Sequence, residues 1–379
     1  MPWRTVDVIG LRREFVALAD RGEVSFSELC RRFAISREVG YKWLGRYRVE
    51  GVEGLRDRSR RPHNIERRVP QRVERALVAI REQHPAWGAR KIRRTLQDTG
   101  AEPVPACSTI TAILHRHNLV SPDGQGGRKD WHRFEHPVPN ALWQMDFKGP
   151  IPTLAGEAHP LTMLDDHSRF CLCARALPNE QTPGVTKALA HTFRRYGLPD
   201  ALLVDNGNPW GGDERQPYTR VTVWLIRLGV WVSHSRQYHP QTLGKDERFH
   251  GTLERELLSR HQWRDLAHLQ AALDEYRDEY NFQRPHDALG LEVPGRRYTA
   301  SLRSLPQTLP PIEYPRGVHV RKVQSPGEIW FQGRVFKMSS AFCGYPVGIR
   351  PTPIDGVFEV LFCHHVIQRL DLRNSERGR

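Results

Sequence analysis

The chain has 379 residues, 39% of them apolar and 26% charged. That composition excludes a low-complexity or disordered protein, and at roughly 150 residues per domain the length predicts two or three domains. The net charge of +14 points to a polyanionic partner, because clustered Lys and Arg gain free energy by releasing counterions condensed on nucleic acid.

The charge is uneven along the chain. Residues 1–133 carry 27 basic against 16 acidic side chains (net +11), residues 134–300 carry 19 against 21 (net −2), and residues 301–379 carry 11 against 6 (net +5). Basic ends therefore flank a middle that supplies carboxylates. The six cysteines form no CxxC pair, so neither a disulfide framework nor a paired-ligand zinc site is required. A signal peptide and a membrane-length apolar run are both missing, so a cytoplasmic, nucleoid-associated protein without a membrane partner is expected.

In chain order, the first pattern is helical. Leu11, Phe15 and Leu18 keep helical spacing, and Ser27 opens a second segment striped by Leu29, Cys30 and Phe33. Ser36 then caps a third helix in which Val39, Trp43 and Tyr47 recur every four residues. This is helix-turn-helix spacing over residues 1–53, with Arg37, Glu38, Tyr41 and Lys42 on the outer face for base edges and phosphates. A three-helix module that touches no DNA would share that core, and the basic charge favours DNA.

The string GLRDRSRRP begins a basic stretch, residues 54–66, poor in large apolar residues. It reads as an extended linker following DNA through Arg58, Arg60 and Arg61, with a solvated spacer as the alternative. A second helix-turn-helix module is predicted over 67–121 from Val73, Leu77 and Ile80, then Ile92 and Leu96, then a Ser108-capped helix with Ile110, Ile113 and Leu114. Arg90, Lys91 and Thr109 are its candidate DNA contacts, and glycine-rich SPDGQGGRK falls in a linker predicted over 122–136.

From Leu142 the pattern turns to short strands: LWQMDF, LTMLDD and FCLCARAL, then a helix from Val185 to Tyr196, ALLV, a helix from Val221 to Leu228, VWVSHS, and long helices from about Lys245. That order predicts a ribonuclease-H-like mixed α/β domain over 137–300. Cys171 and Cys173 read as strand residues, with a zinc site involving His167 as the weaker alternative. Strands and turns at Pro326-Gly327, Gln332-Gly333 and Asp355-Gly356 predict a small β-barrel over 313–372.

Three acids stand out. Asp146 lies near the end of the first strand among apolar residues, where an isolated carboxylate is costly to bury. Asp205 ends ALLV just before Asn206-Gly207, and Glu247 begins a helix whose stripe is Phe249, Leu253, Leu257 and Leu258. Short Asp side chains on two neighbouring strands plus a longer Glu from a helix bring oxygens together around hard cations. Two such ions about 4 Å apart clamp the attacking and leaving oxygens of an in-line phosphoryl displacement. On the residues alone, either Asp could cap a turn and Glu247 could be a solvated charge. Asp165 and Asp166 in LDDHSRF read as turn chemistry, Glu254 as a surface ion-pair member, and His286 as packing rather than substrate orientation.

The strings WQMDFKG, LLVDNG and HPQTLGKDERFHGTLE, with LDDHSRF and YNFQRPHDALG, strongly resemble the integrase-type core of bacterial insertion-sequence transposases, in the superfamily of retroviral integrases. The resemblance runs over the whole chain. It departs at Leu243, where Asn is common, and in an interval from Asp205 to Glu247 lengthened by the polar stretch NPWGGDERQPY.

The resemblance implies that Asp146, Asp205 and Glu247 are the catalytic, metal-binding triad of a DDE transposase. Such an enzyme holds two Mg2+ ions per site, with Mn2+ able to substitute. It would cleave the ends of a mobile element and transfer them into target DNA, as a homo-oligomer (dimer or tetramer) on double-stranded DNA that includes the terminal inverted repeats. His239, Lys245 and Arg248 flank the triad and are expected to hold the DNA backbone. No GxxxxGK[ST] loop occurs, in keeping with chemistry that needs no ATP. A non-cutting DNA-binding regulator and a hydrolysis-only nuclease are the rival readings.

Overall fold

The computed structural model describes residues 7–58, 69–120, 135–206, 209–211, 218–234 and 244–373. The chain divides into two compact units, Met1–Arg68 and Val69–Arg379.

In the first unit, helices α1 (Val8–Arg21), α2 (Phe26–Arg32) and α3 (Arg37–Glu50) enclose a core of Phe15, Val16, Leu29, Cys30, Trp43 and Leu44. Ser36 caps α3 as expected, its Oγ accepting the Val39 N–H at 3.2 Å. The cap of α2 is Ser25 rather than Ser27. Glu28 stands three residues after Ser25, the capping-box spacing, and its N–H donates to Ser25 Oγ at 3.3 Å. Gly40 is where α3 packs closest: a Cβ there would lie 2.7 Å from Cys30 Sγ and 2.9 Å from Phe15 Cζ. The buried stripe of α3 therefore runs through Gly40, Trp43 and Leu44, and Val39, expected inside, is 37% exposed. Leu55, read as the start of the linker, is fully buried in a 3-10 turn, and its carbonyl accepts from Arg12 at 2.7 Å. An apolar side chain of that size has more to gain in the core than on a tether.

The second unit opens with α4 (Gln71–Gln83), α5 (Ala89–Asp98) and α6 (Cys107–Arg116) around Leu77, Trp87, Ile92, Leu96 and Ile110. Ser108 does not cap α6, which starts at Cys107 straight after Pro105-Ala106, with no side-chain cap. The SPDGQGGRK boundary lies outside the described residues.

A six-stranded sheet follows, with β1 (Leu142–Phe147), β2 (Ile151–Thr153), β3 (Gly156–Asp165), β4 (Cys171–Leu177), β5 (Ala201–Val204) and β6 (Trp231–His234). Its order is β2-β3-β1-β5-β6, with β4 also paired to β3. The strands β1, β5 and β6 run parallel, while β3 is antiparallel to both β1 and β4. Helices α7 (Thr182–Tyr196) and α8 (Arg220–Arg227) cover one face through Val185, Leu189, Phe193, Val221 and Leu225. The other face is covered by α9 (Gly244–Glu256) and α10 (Leu266–Phe282) through Phe249, Leu253, Leu269, Leu273 and Tyr276.

A register shift opposite Met163 and Leu164 makes Leu172 an extra residue. Cys173 consequently joins the α7 side of the sheet while Cys171 joins the α9 and α10 side, so both cysteines are strand-packing residues on opposite faces. His167 bonds the His136 carbonyl at 2.8 Å.

Beyond the sheet, the tail forms a four-stranded antiparallel sheet from β7 (His319–Lys322), β10 (Pro346–Pro351), β11 (Val357–Phe362) and β12 (His365–Asp371), in the order β12-β11-β10-β7. A separate hairpin joins β8 (Glu328–Phe331) to β9 (Arg334–Lys337). These sheets are open, where a small β-barrel was expected. Their shared core of Ile329, Phe331, Val347, Ile349, Val360 and Phe362 includes Val223 and Ile226 of α8. A helix surface thus fills part of the space that strand closure would otherwise enclose. None of the described helices is long and apolar enough to cross a membrane.

Candidate active site

Asp146 and Asp205 come together because β1 and β5 are parallel neighbours. Gln144 is in register with Leu203, so two residues further on the same register sets Asp146 beside Asp205 at the carboxyl ends of the strands. One Asp146 oxygen accepts the Phe147 N–H at 2.8 Å. Burial, with the negative charges of Asp205 and then Glu247, pushes the Asp146 carboxyl up to about 7. Asp205 is raised as well, by burial and by Glu180, and its buried Oδ1 has no hydrogen-bond partner among the described residues. Glu247 is exposed in the first turn of α9. Among the described residues no three His, Cys, Asp or Glu side chains gather closely enough to hold an ion.

Two carboxylates near this site escaped the sequence reading. Glu180, just past β4, bonds His159 at 3.0 Å and bears on Asp205. Asp246 is completely buried and accepts from Thr162 Oγ1 at 3.1 Å, and its Oδ2 has no partner among the described residues. Burial and the charge of Asp146 raise its pKa well above the ordinary carboxylate range. A signal for Asp246 was present: extending the Phe249 and Leu253 stripe back by one turn lands on residue 246.

The other acids have structural duties. Asp165 accepts from the backbone of Asn140 at 2.7 Å and Ser168 at 2.8 Å, holding the turn after β3. Asp166 accepts from Gln144 at 2.8 Å and from the His136 N–H at 2.8 Å. Glu254 pairs with Lys148 at 3.1 Å.

The candidate DNA contacts divide. Arg37, Tyr41, Lys42, Thr109 and Arg248 are exposed, although Tyr41 also stacks on Phe26 with ring centroids 4.2 Å apart. Arg58 is paired with Glu50, and Arg90 with Asp287 at 3.2 Å. Lys91 is partly buried, and burial with the nearby Arg284 charge lowers it to about 8. Lys245 is turned inward onto Asp166. Arg60, Arg61 and His239 lie outside the described residues. His286 packs edge-on to Tyr280 with centroids 4.9 Å apart and is lowered to about 3 by burial and by Arg284, which fits a neutral packing residue.

The core is a mixed sheet covered on both faces, with Asp146 and Asp205 at the ends of two parallel strands. Residues 136–240 and 228–294 match families described as Integrase core domain. Residues 11–63 match Helix-turn-helix domain, and residues 39–114 match Homeodomain-like domain. Residues 318–378 match the C-terminal domain of IS481 family transposases. In these segments the chain is similar to bacterial insertion-sequence proteins and to integrase cores.

Among curated relatives, the insertion element IS407 uncharacterized 31.7 kDa protein of Burkholderia multivorans is 27% identical over 41% of this chain and 54% of its own length. The insertion element IS476 uncharacterized 39.2 kDa protein of Xanthomonas euvesicatoria is 25% identical over 44% of this chain and 46% of its own length. The chain thus spans about half the length of these two relatives. It spans 10% of the Gag-Pol polyprotein of baboon endogenous virus, at 27% identity over 48% of this chain. Similar solved structures include a simian T-cell lymphotropic virus intasome in complex with a PP2A regulatory subunit, at 15% identity and a TM-score of 0.37, covering 73% of this chain and 98% of that one. The HTLV-2 integrase catalytic core in complex with magnesium is 16% identical with a TM-score of 0.34, covering 43% of this chain and 99% of that one.

Proposed function

We propose that the chain is a DDE transposase that binds the ends of a mobile element, cleaves a strand at each end and joins the freed ends to target DNA. The observation that carries this reading is the convergence of acids at the ends of β1 and β5, where Asp146 is pushed up to about 7 by burial and by the charges of Asp205 and Glu247. A fold gains nothing from mutually repelling carboxylates unless a cation offsets them.

The donor set fits a hard divalent cation in its chemistry: carboxylate oxygens throughout, one of them the buried Asp205 Oδ1, which has no partner among the described residues. Asp146, Asp205 and Glu247 are the residues that would hold Mg2+, at two ions per site, with Mn2+ as a substitute. When bound, these ions would neutralise the cluster and supply Lewis acidity toward a phosphodiester. The chain's own contribution is placement. Two rigid strand ends present Asp146 and Asp205, the Phe147 N–H orients one Asp146 oxygen, and exposed Arg248 beside Glu247 is available to a backbone phosphate. The exposed faces of the helical modules supply end recognition. Assembly as a homo-oligomer on paired ends, a domain division near the expected boundaries, and a cytoplasmic, nucleoid-associated setting belong to the same reading.

Asp146→Asn, Asp205→Asn and Glu247→Gln test it, measured as strand cleavage and strand joining on end DNA in Mg2+. Each is expected to lose most activity while keeping end binding. Full cleavage by Glu247→Gln would sink the triad. Cleavage without joining by the unaltered chain points to a nuclease, and end binding without nicking points to a regulator.

A further inference from the structure

Glu247 stands on a helix, and a helix can slide and rotate; something must fix its first turn against the strand that carries Asp146. Thr162 and Asp146 are directly opposite each other on antiparallel β3 and β1, so their side chains emerge on the same face of the sheet. That face meets α9. The Thr162 hydroxyl is fully buried and lies 3.1 Å from Asp246 Oδ1, 2.7 Å from His250 Nε2 and 3.2 Å from the Asp146 carbonyl. Asp246 and His250 are one helical turn apart, and both close on the same hydroxyl. A slip of α9 by one residue is a rotation of about 100° with a rise of about 1.5 Å, and it breaks both contacts.

A second tie lies one residue before. Lys245 is paired with Asp166, which follows β3 and is itself held by Gln144 of β1 at 2.8 Å. The residues at 245 and 246 are thus both anchored to the strands beside Asp146, and the next residue is Glu247. An apolar side chain at 246 would continue the stripe of Phe249 and Leu253 and pack with less desolvation cost. A buried carboxylate there makes sense where register matters more than burial.

We propose that Thr162, Asp246 and His250 are positioning residues that set the register of α9 on the sheet, and thereby the placement of Glu247 relative to Asp146. This rests on the proposed role of the triad and adds the means by which its third member is aligned.

The test uses the full-length, metal-free chain. Mg2+ binding is measured by calorimetry, strand cleavage of end DNA gives kcat and KM, and thermal melting reports stability. Thr162→Val removes the hydroxyl at nearly constant shape, and Asp246→Leu removes the acceptor. Each is expected to weaken Mg2+ binding and to lower kcat by about tenfold to a hundredfold, the penalty of a misplacement near 1 Å, with KM for DNA within about twofold of the parent. Thr162→Ser and Asp246→Asn keep the hydroxyl and the Oδ1 acceptor and are expected to recover most of both. Leu269→Ala, a core change on α10, is expected to lower the melting temperature without moving Mg2+ affinity.

Unchanged Mg2+ affinity and kcat in Thr162→Val would overturn the proposal, whatever its melting temperature, as would a Leu269→Ala protein that loses Mg2+ affinity to the same degree. If Asp246→Leu does not fold, the Thr162 pair decides alone. Glu247→Gln separates the two levels: if it binds Mg2+ and cleaves like the parent, the triad reading fails, whereas its inactivity beside an unaffected Thr162→Val defeats only the positioning role.

Discussion

At the scale of single residues, charge sign was legible and direction was not. Lys245 and Arg248 are three positions apart, flanking two acids in the string KDER, and both suit a phosphate. Folding leaves Arg248 exposed and ties Lys245 to Asp166, which is 1% exposed. Lys245→Ala is therefore expected to destabilise the chain by about 3 kcal/mol, the cost of stranding a buried carboxylate, as read by urea denaturation. Arg248→Ala should leave stability unchanged and lower the salt dependence of DNA binding; equal stability loss from both would refute the distinction.

Asp146 carries a pH prediction. Its folded pKa, about 7, lies above the unfolded value of 3.8, so between these limits the folded state holds the extra proton. Its contribution is fully present below about pH 4 and is lost as pH rises through about 7. Asp146→Asn should flatten that part of the stability profile. Added Mg2+ should raise the melting temperature more at pH 8 than at pH 5, because proton and cation compete for the same oxygens. A Mg2+ effect independent of pH would count against carboxylate ligation.

At the scale of elements, the strand and helix order from Leu142 to the long helices was readable, since alternating apolar runs and helical stripes report burial directly. How the edge strand is finished was not. Strand β4 pairs with β3 only, and α10 serves its backbone with side-chain amides: Asn281 accepts the Cys171 N–H at 2.7 Å and donates to the Cys171 carbonyl at 2.9 Å, while Gln270 does the same for Ala176 and Ala174 at 2.9 and 3.1 Å. Asn281→Leu leaves a buried donor and acceptor unpaired, at about 1–3 kcal/mol per group. Amide exchange at Cys171 should accelerate in that variant; protection equal to the parent would refute the amide's role. Helix α8 is apolar on two sides, Val221 and Leu225 facing the sheet and Val223 and Ile226 the tail. A single helical stripe could not disclose that second partner.

At the scale of the whole molecule, the second helical module is tied to the sheet domain, His84 Nδ1 lying 3.0 Å from Glu279 and Arg90 pairing with Asp287 at 3.2 Å. Removing residues 1–68 should therefore spare the fold of the remainder, seen as an unchanged main calorimetric transition. Preference for end DNA over random duplex should fall, together with the salt slope of binding. If the shortened chain discriminated ends as well as the parent, end recognition would belong to the second unit alone.

Local properties of the chain determined the positions of its helices and strands, the basic ends and the acids at the tips of β1 and β5, because periodicity and strand-end turns are written in neighbouring residues. The tertiary structure alone decided that Leu55 closes the first module, that α8 fills the core of the tail in place of a closed barrel, that Lys91 and Lys245 turn inward, and that Asp246 lies buried under Thr162. Each depends on a partner brought close only when distant segments pack, and the energy of burying or pairing a group is a property of both partners.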